Sequence, residues 1–170
     1  DVMPGSMYMD IMRHLQNKDL KIVVDATKDL LVNVLQYHPF LIKPNNHELG
    51  EIFGVKIENK ADVITYAKKM QEKGARNVLV SMAGDGAVLV AEDGSIFQSE
   101  APKGKVVNSV GAGDSMVAGF LAGYMEHASY GEAFRTAVAA GSASAFSEHL
   151  ATRAEIEQIL PLLLDSYQIQ

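Results

Sequence analysis

Short runs rich in β-branched residues alternate with helix-length segments along this chain, and that alternation restricts the folds open to it. A strand, a helix and a second strand in succession give parallel strands with the helix laid on the sheet. Repetition of the unit predicts an α/β fold, a mostly parallel sheet with helices on its faces. The strand-like runs are residues 20–25, 40–43, 77–82, 87–91, 96–97 and 105–107. The helical segments are 7–16, 30–37, one beginning at Asn45, 60–73, 112–126, 130–149 and 153–164. The pattern is clearest in 60–73, where apolar positions recur at helical period and Gly74 supplies the stop. Asn45 and Glu48 stand at the spacing of a capping box, so a helix start is expected there.

Between the run at 105–107 and the helix at 112–126 the chain reads Asn108-Ser109-Val110-Gly111-Ala112-Gly113-Asp114-Ser115. Glycines at 111 and 113 permit a tight turn that brings bare amides close to a ligand. Where a helix begins, N–H groups lack intrahelical partners and the positive end of the dipole faces outward, which favours an anion. Asp114 adds a carboxylate to the same turn. Amides for an anion beside a base are what phosphoryl transfer from ATP to a hydroxyl requires. The same residues also suit a plain loop closed by an acidic helix cap. Two other phosphate loops are excluded. No Lys-Ser/Thr follows the glycines, and Met116 stands where a dinucleotide fingerprint has its third glycine.

With 170 residues, 48% of them hydrophobic and 21% charged, the chain is long enough to bury a core, and one domain is expected. A net charge of −6 argues against nucleic acid or an anionic membrane as a partner. Cysteine is absent, which removes disulfides and suits a cytoplasmic location. No apolar run is long enough to span a bilayer, and the chain does not open on a secretory signal pattern.

Residues 108–120 resemble the second signature of the ribokinase (PfkB) family of carbohydrate kinases. Further stretches carry the likeness over nearly the whole chain: 39–50, with Lys43-Pro44-Asn45-Asn46-His47-Glu48; 80–87, with Ser81-Met82-Ala83-Gly84-Asp85-Gly86; and 102–109, 131–135 and 142–148. They are most similar to the branch that phosphorylates fructose 1-phosphate. The resemblance implies a ribokinase-like three-layer α/β/α fold, with residues 1–170 as its C-terminal, nucleotide-binding part. The family's glycine-rich first signature, most sugar-phosphate contacts and a small β-sheet lid have no counterpart in these residues. ATP and a sugar phosphate are the implied substrates, Mg2+ the implied metal, and a homodimer the implied state of the full-length protein.

The resemblance also assigns roles. Asp114 is the expected base, and Gly111, Ala112 and Gly113 offer amides to the transferring phosphoryl group. Lys43 is expected on the nucleotide phosphates, and Asn45 and Glu48 organise Mg2+ through water. Ser81, Gly84, Gly86 and Ser142 are expected to line the nucleotide. The implied reaction is phosphorylation of fructose 1-phosphate to the 1,6-bisphosphate, with tagatose 6-phosphate as the competing acceptor. Taken alone, the 170 residues are expected to hold ATP without turning it over. Structural accounts stand beside these. Asn45 and Glu48 suit a capping box, 81–86 an ordinary Asp-Gly hairpin turn, and the small residues of 139–144 plain helix packing. Gly119 and Gly123 are expected at helix contacts, the methionines in the core, and the histidines away from any metal. Two departures from the family pattern stand out. Ala26-Thr27-Lys28 replaces a Ser/Thr-Gly pair, and Asn108 replaces an aspartate that many members carry.

Overall fold

The computed structural model describes residues 5–15, 18–26, 28–163 and 167–169. Gln16, Thr27 and Leu164, which the sequence places at helix ends or in the turn after Asp25, lie outside the described residues. The chain divides into two compact units, residues 1–80 with 90–94, and residues 81–89 with 95–170.

The first unit holds α1 (Gly5–Leu15), β1 (Val23–Val24), α2 (Lys28–Val34), β2 (Leu41–Ile42), α3 (Asn46–Phe53), α4 (Lys60–Glu72) and β3 (Asn77–Ser81), whose last residue falls in the second unit. The three strands are parallel in the order β1-β2-β3, with Val23 beside Leu41 and Leu41 beside Asn77. Leu41, Ile42, Val78, Leu79 and Val80 are fully buried, as strands covered on both faces must be. The polar side chain of Asn77 is buried with them, and it is satisfied. Its Nδ2 donates to the Phe40 carbonyl at 2.7 Å and its Oδ1 accepts the Glu92 N–H at 2.9 Å. α3 begins with the anticipated capping box, and α4 is capped by the Asn59 side chain accepting the Asp62 N–H. The helix expected over 30–37 is α-helical only to Val34 and finishes as a 3-10 turn, Leu35–Tyr37.

The second unit holds β4 (Ala87–Val90), in which the boundary falls, then β5 (Ile96–Ser99), α5 (Ala112–His127), α6 (Tyr130–Phe146), α7 (Arg153–Ile159) and β6 (Tyr167–Ile169). β6 pairs antiparallel with β5 and was not anticipated. α5 and α6 approach closely because small residues face each other. A Cβ added to Gly119 would lie 2.6 Å from the Thr136 carbonyl oxygen, and one on Gly123 would lie 2.8 Å from Thr136 Oγ1. Phe120 and Phe134 are fully buried, and Phe97 stacks on Phe134 with ring centroids 6.2 Å apart.

Three sequence expectations change here. Residues 105–107 form no strand. Val106 and Val107 are 62% and 50% exposed, so β-branched propensity had no buried face to act on. α6 stops at Phe146 rather than running to 149, because Ser147 is extended and residues 147–150 form bends. The last helical segment is α-helical only to Ile159 and continues as a 3-10 turn, Leu160–Leu163. Pro161 inside that turn has no N–H for an α-helical bond.

Candidate active site

α5 starts at a glycine that no other residue replaces easily. Gly111 is its N-cap with φ 78° and contributes no side-chain cap. The left-handed conformation disfavours a Cβ, and one built there would meet Leu150 Cδ2 at 2.6 Å. The first turn-to-turn helical bond runs from the Ser115 N–H to the Gly111 carbonyl at 2.9 Å. The Ala112 N–H donates to the Ser109 carbonyl at 3.3 Å, so that amide is engaged, against the expectation that all three amides of 111–113 are on offer. Gly111, Gly113 and Asp114 have no such N–H bond among the described residues, as the opening of a helix dictates. The Asp114 side chain is exposed, with no hydrogen bond or ion pair among the described residues. It sits on the first turn, on the side of the helix where the dipole favours negative charge.

The turn is held from α6. Val107 and Asn108 both donate backbone N–H groups to the Ala145 carbonyl, at 2.8 and 3.2 Å. Asn108 Oδ1 accepts the Val110 N–H at 3.0 Å, and its Nδ2 reaches the Glu148 carbonyl at 3.4 Å. Within the small-residue run of α6, Ala139, Ala140, Gly141, Ala143 and Ser144 are buried, while Ser142 is half-buried. The packing account therefore covers most of this run, and Ser142 is the residue with a face to spare.

Residues 81–86 close a compact turn in the same unit. The Met82 N–H donates to the Gly86 carbonyl at 2.8 Å, and Ala83–Asp85 form a 3-10 turn. Gly86 is buried with φ 89°, and a Cβ there would run into the Ser99 carbonyl oxygen. Gly84 is exposed with nothing within 4 Å of a Cβ position, and Ser81 is half-buried. These glycines thus separate. Gly86 is required by the chain itself, whereas Gly84 leaves open space.

In the first unit, β1 and β2 run parallel, so Asp25 and Lys43 emerge at the same carboxyl edge, where open α/β sheets bind ligands. Lys43 is only 7% exposed, and its Nζ lies 3.4 Å from Asp25 Oδ2. A buried ammonium needs such a partner. The sequence reading missed this pairing, although an acid at the end of one buried strand and a lysine at the end of the next were both visible. Asn45 Oδ1 accepts the Glu48 N–H at 2.8 Å while Glu48 Oε2 accepts the Asn45 N–H at 2.9 Å. The capping box thus engages one carboxylate oxygen and leaves Oε1 without a partner among the described residues. One free carboxylate oxygen next to an amide fits Mg2+ held through its own waters. No group of three or more His, Asp and Glu among the described residues forms a direct metal cage. His47 is exposed, and His14 and His38 place Nδ1 on the carbonyls of Asp10 and Gly74.

Two concavities of this unit, about 370 and 360 Å3, have none of Asp25, Lys43, Asn45 and Glu48 in their walls, although His47 lines the first and His38 the second. They are lined respectively around Gly50, Val55 and Ile57, and around Lys18, Tyr37 and Arg76. Their shape alone gives them no chemistry. No helix among the described residues is long and apolar enough to cross a membrane.

Residues 1–156 match the model of the pfkB family carbohydrate kinases. The 1-phosphofructokinase of Bacillus subtilis (strain 168) is 46% identical over 159 residues, covering 94% of this chain and 52% of that protein. The D-tagatose-1-phosphate kinase of Bacillus licheniformis is 36% identical over 156 residues, covering 91% and 51%. The crystal structure of phosphofructokinase-2 from Escherichia coli in complex with substrates and products matches with a TM-score of 0.86 at 29% identity. It covers 95% of this chain and 53% of that one. The chain therefore spans about half the length of these proteins. The likeness carries the expected fold class, ribokinase-like α/β/α.

Proposed function

This chain belongs to the pfkB family of carbohydrate kinases, and from that premise we propose that it forms the nucleotide-handling part of an ATP-dependent sugar-phosphate kinase. The observation that carries the reading is the opening of α5. An exposed, unpaired carboxylate sits one residue beyond a left-handed glycine turn whose amides at 111 and 113 remain available. The terminal phosphate of ATP accepts from those two amides, with Ala112 a lesser donor because Ser109 occupies it. Asp114 faces the acceptor hydroxyl. The hydroxyl oxygen bonds to the γ-phosphorus as the bond to the bridging oxygen breaks. ADP leaves, and the hydroxyl proton passes to the Asp114 carboxylate late in the transfer. This reaction asks mainly for position and charge compensation.

Lys43 serves the nucleotide phosphates as a point charge, moving off Asp25 to do so. Asn45 and Glu48 hold Mg2+ through water, and the metal supplies neutralisation of the phosphate oxygens. Ser81, Gly84 and Ser142 contact the nucleotide through their accessible surface, and buried Gly86 serves it by shaping the turn that presents Gly84. The acceptor is fructose 1-phosphate, in keeping with the relative named 1-phosphofructokinase. A second reading, a tagatose phosphate, is favoured by the relative named D-tagatose-1-phosphate kinase. The intact protein is proposed to be a cytoplasmic homodimer. A coupled ADP-release assay on it with fructose 1-phosphate, tagatose 1-phosphate and tagatose 6-phosphate decides among these. Turnover is expected to be fastest with fructose 1-phosphate, and the absence of ATP-dependent turnover with all three sugars would end the kinase reading.

A further inference from the structure

We propose that Ser144 is a positioning residue for the phosphate-accepting turn, a role that rests on the kinase reading above. Ser144 is 2% exposed, and its hydroxyl is used in both directions. It donates to Ser115 Oγ at 2.8 Å, on the first turn of α5 directly after Asp114, and it accepts the Ala151 N–H at 3.0 Å. One buried oxygen thus ties residues 147–151 to the start of α5. Leu150 belongs to that tethered loop. It is 64% exposed, and its Cδ2 lies over Gly111 closely enough that a Cβ there would come within 2.6 Å.

Gly111 offers no side chain to cap α5, so the turn depends on neighbours for its shape. On one side the Ala145 carbonyl takes the N–H groups of Val107 and Asn108, and Asn108 Nδ2 reaches the Glu148 carbonyl. On the other side Ser144 and Leu150 complete the enclosure. An alanine at 144 would fill nearly the same volume, so packing does not explain a hydroxyl in a run of buried alanines and glycine. The hydroxyl's specific effect is to make loop and turn move together. Leu150 then covers the turn at Gly111 on one side, where a terminal phosphate is held.

Amide hydrogen exchange and calorimetry on this chain test the assignment. Ser144→Ala is expected to speed exchange at Ala151 by roughly tenfold, the loss of one buried hydrogen bond, whereas Ser115→Ala leaves Ala151 protected. ATP and ADP titrations read the terminal-phosphate site as the ratio of the two dissociation constants. That ratio is expected to fall toward one in Ser144→Ala and also in Leu150→Ala, whose exposed side chain does not endanger folding. Unchanged exchange at Ala151 in Ser144→Ala, or wild-type preference for ATP retained in both variants, overturns the positioning role while leaving the kinase reading in place. A wild-type chain that binds ATP and ADP equally overturns the terminal-phosphate site itself, and with it the basis of both.

Discussion

Asp114 stands on the outer side of the first turn of α5 with its carboxylate exposed and unpaired, so its removal disturbs no internal contact among the described residues. Asp114→Ala in the intact protein is therefore expected to lower kcat by roughly a thousandfold, with nucleotide affinity and melting temperature little changed. Steady-state kinetics beside an ATP titration check this; parallel loss of both would make Asp114 a structural cap. The two turn glycines are expected to separate in the opposite sense. Gly86→Ala forces a Cβ into the Ser99 carbonyl at φ 89° and should lower stability by about 1–3 kcal/mol, read by denaturant unfolding. Gly84→Ala points into open space, so it should leave stability unchanged and weaken ATP binding if the nucleotide lies there. Residue types at 43, 45, 48 and 114 were legible as chemistry from the sequence. The bonds between Asn45 and Glu48 were legible too, as a capping box, but the partner of Lys43 was not. The Asp25–Lys43 pair joins residues from two strands, and only the parallel register of β1 on β2 makes them neighbours.

At the scale of elements, α5 and α6 test packing against propensity. Gly119→Ala gains up to about 1 kcal/mol of intrinsic helix preference. Its Cβ would nonetheless lie 2.6 Å from the Thr136 carbonyl oxygen and 2.8 Å from Ala140 Cβ, so a net loss of about 1–3 kcal/mol is expected in a thermal melt. α7 supplies a pH signature. The Thr152 N–H, then the Thr152 hydroxyl and the Ser147 hydroxyl, hold the Glu155 carboxyl below its usual value. A lowered folded-state value means the capping box stabilises fully above the unfolded carboxylate range and loses that contribution as pH falls through the folded value. Glu155→Gln should accordingly lower the melting temperature at neutral pH and match the wild type in acid. The capping box at Asn45 is local and was read from its spacing, whereas the one at Thr152, though equally local, was not anticipated. The end of α6 was not readable, because nothing in 147–149 breaks a helix. The stop comes with the tethering of Ala151 to Ser144.

For the molecule as a whole, the chain spans about half the length of its relatives, and phosphoryl transfer depends on holding two substrates in line. Orientation supplies roughly 7–11 kcal/mol in such reactions. The 170 residues alone are therefore expected to bind ATP, measured by calorimetry, with no sugar-dependent ADP release in the coupled assay; robust turnover would show that they suffice. The sequence by itself determined the order of strands and helices, the glycine turn before α5 and the family, because these depend on periodicity, caps and residues adjacent along the chain. It gave no hint of β6, whose pairing with β5 joins segments about seventy residues apart. It also suggested a strand at 105–107, which fails for want of a face to bury. Tertiary structure alone decided which amides of 111–113 stay free, where Lys43 finds its counter-charge, and that Ser144 and Leu150 belong to the α5 turn. Each is a contact between residues distant in sequence or set by backbone conformation, so residue identity could not specify it before the chain had folded.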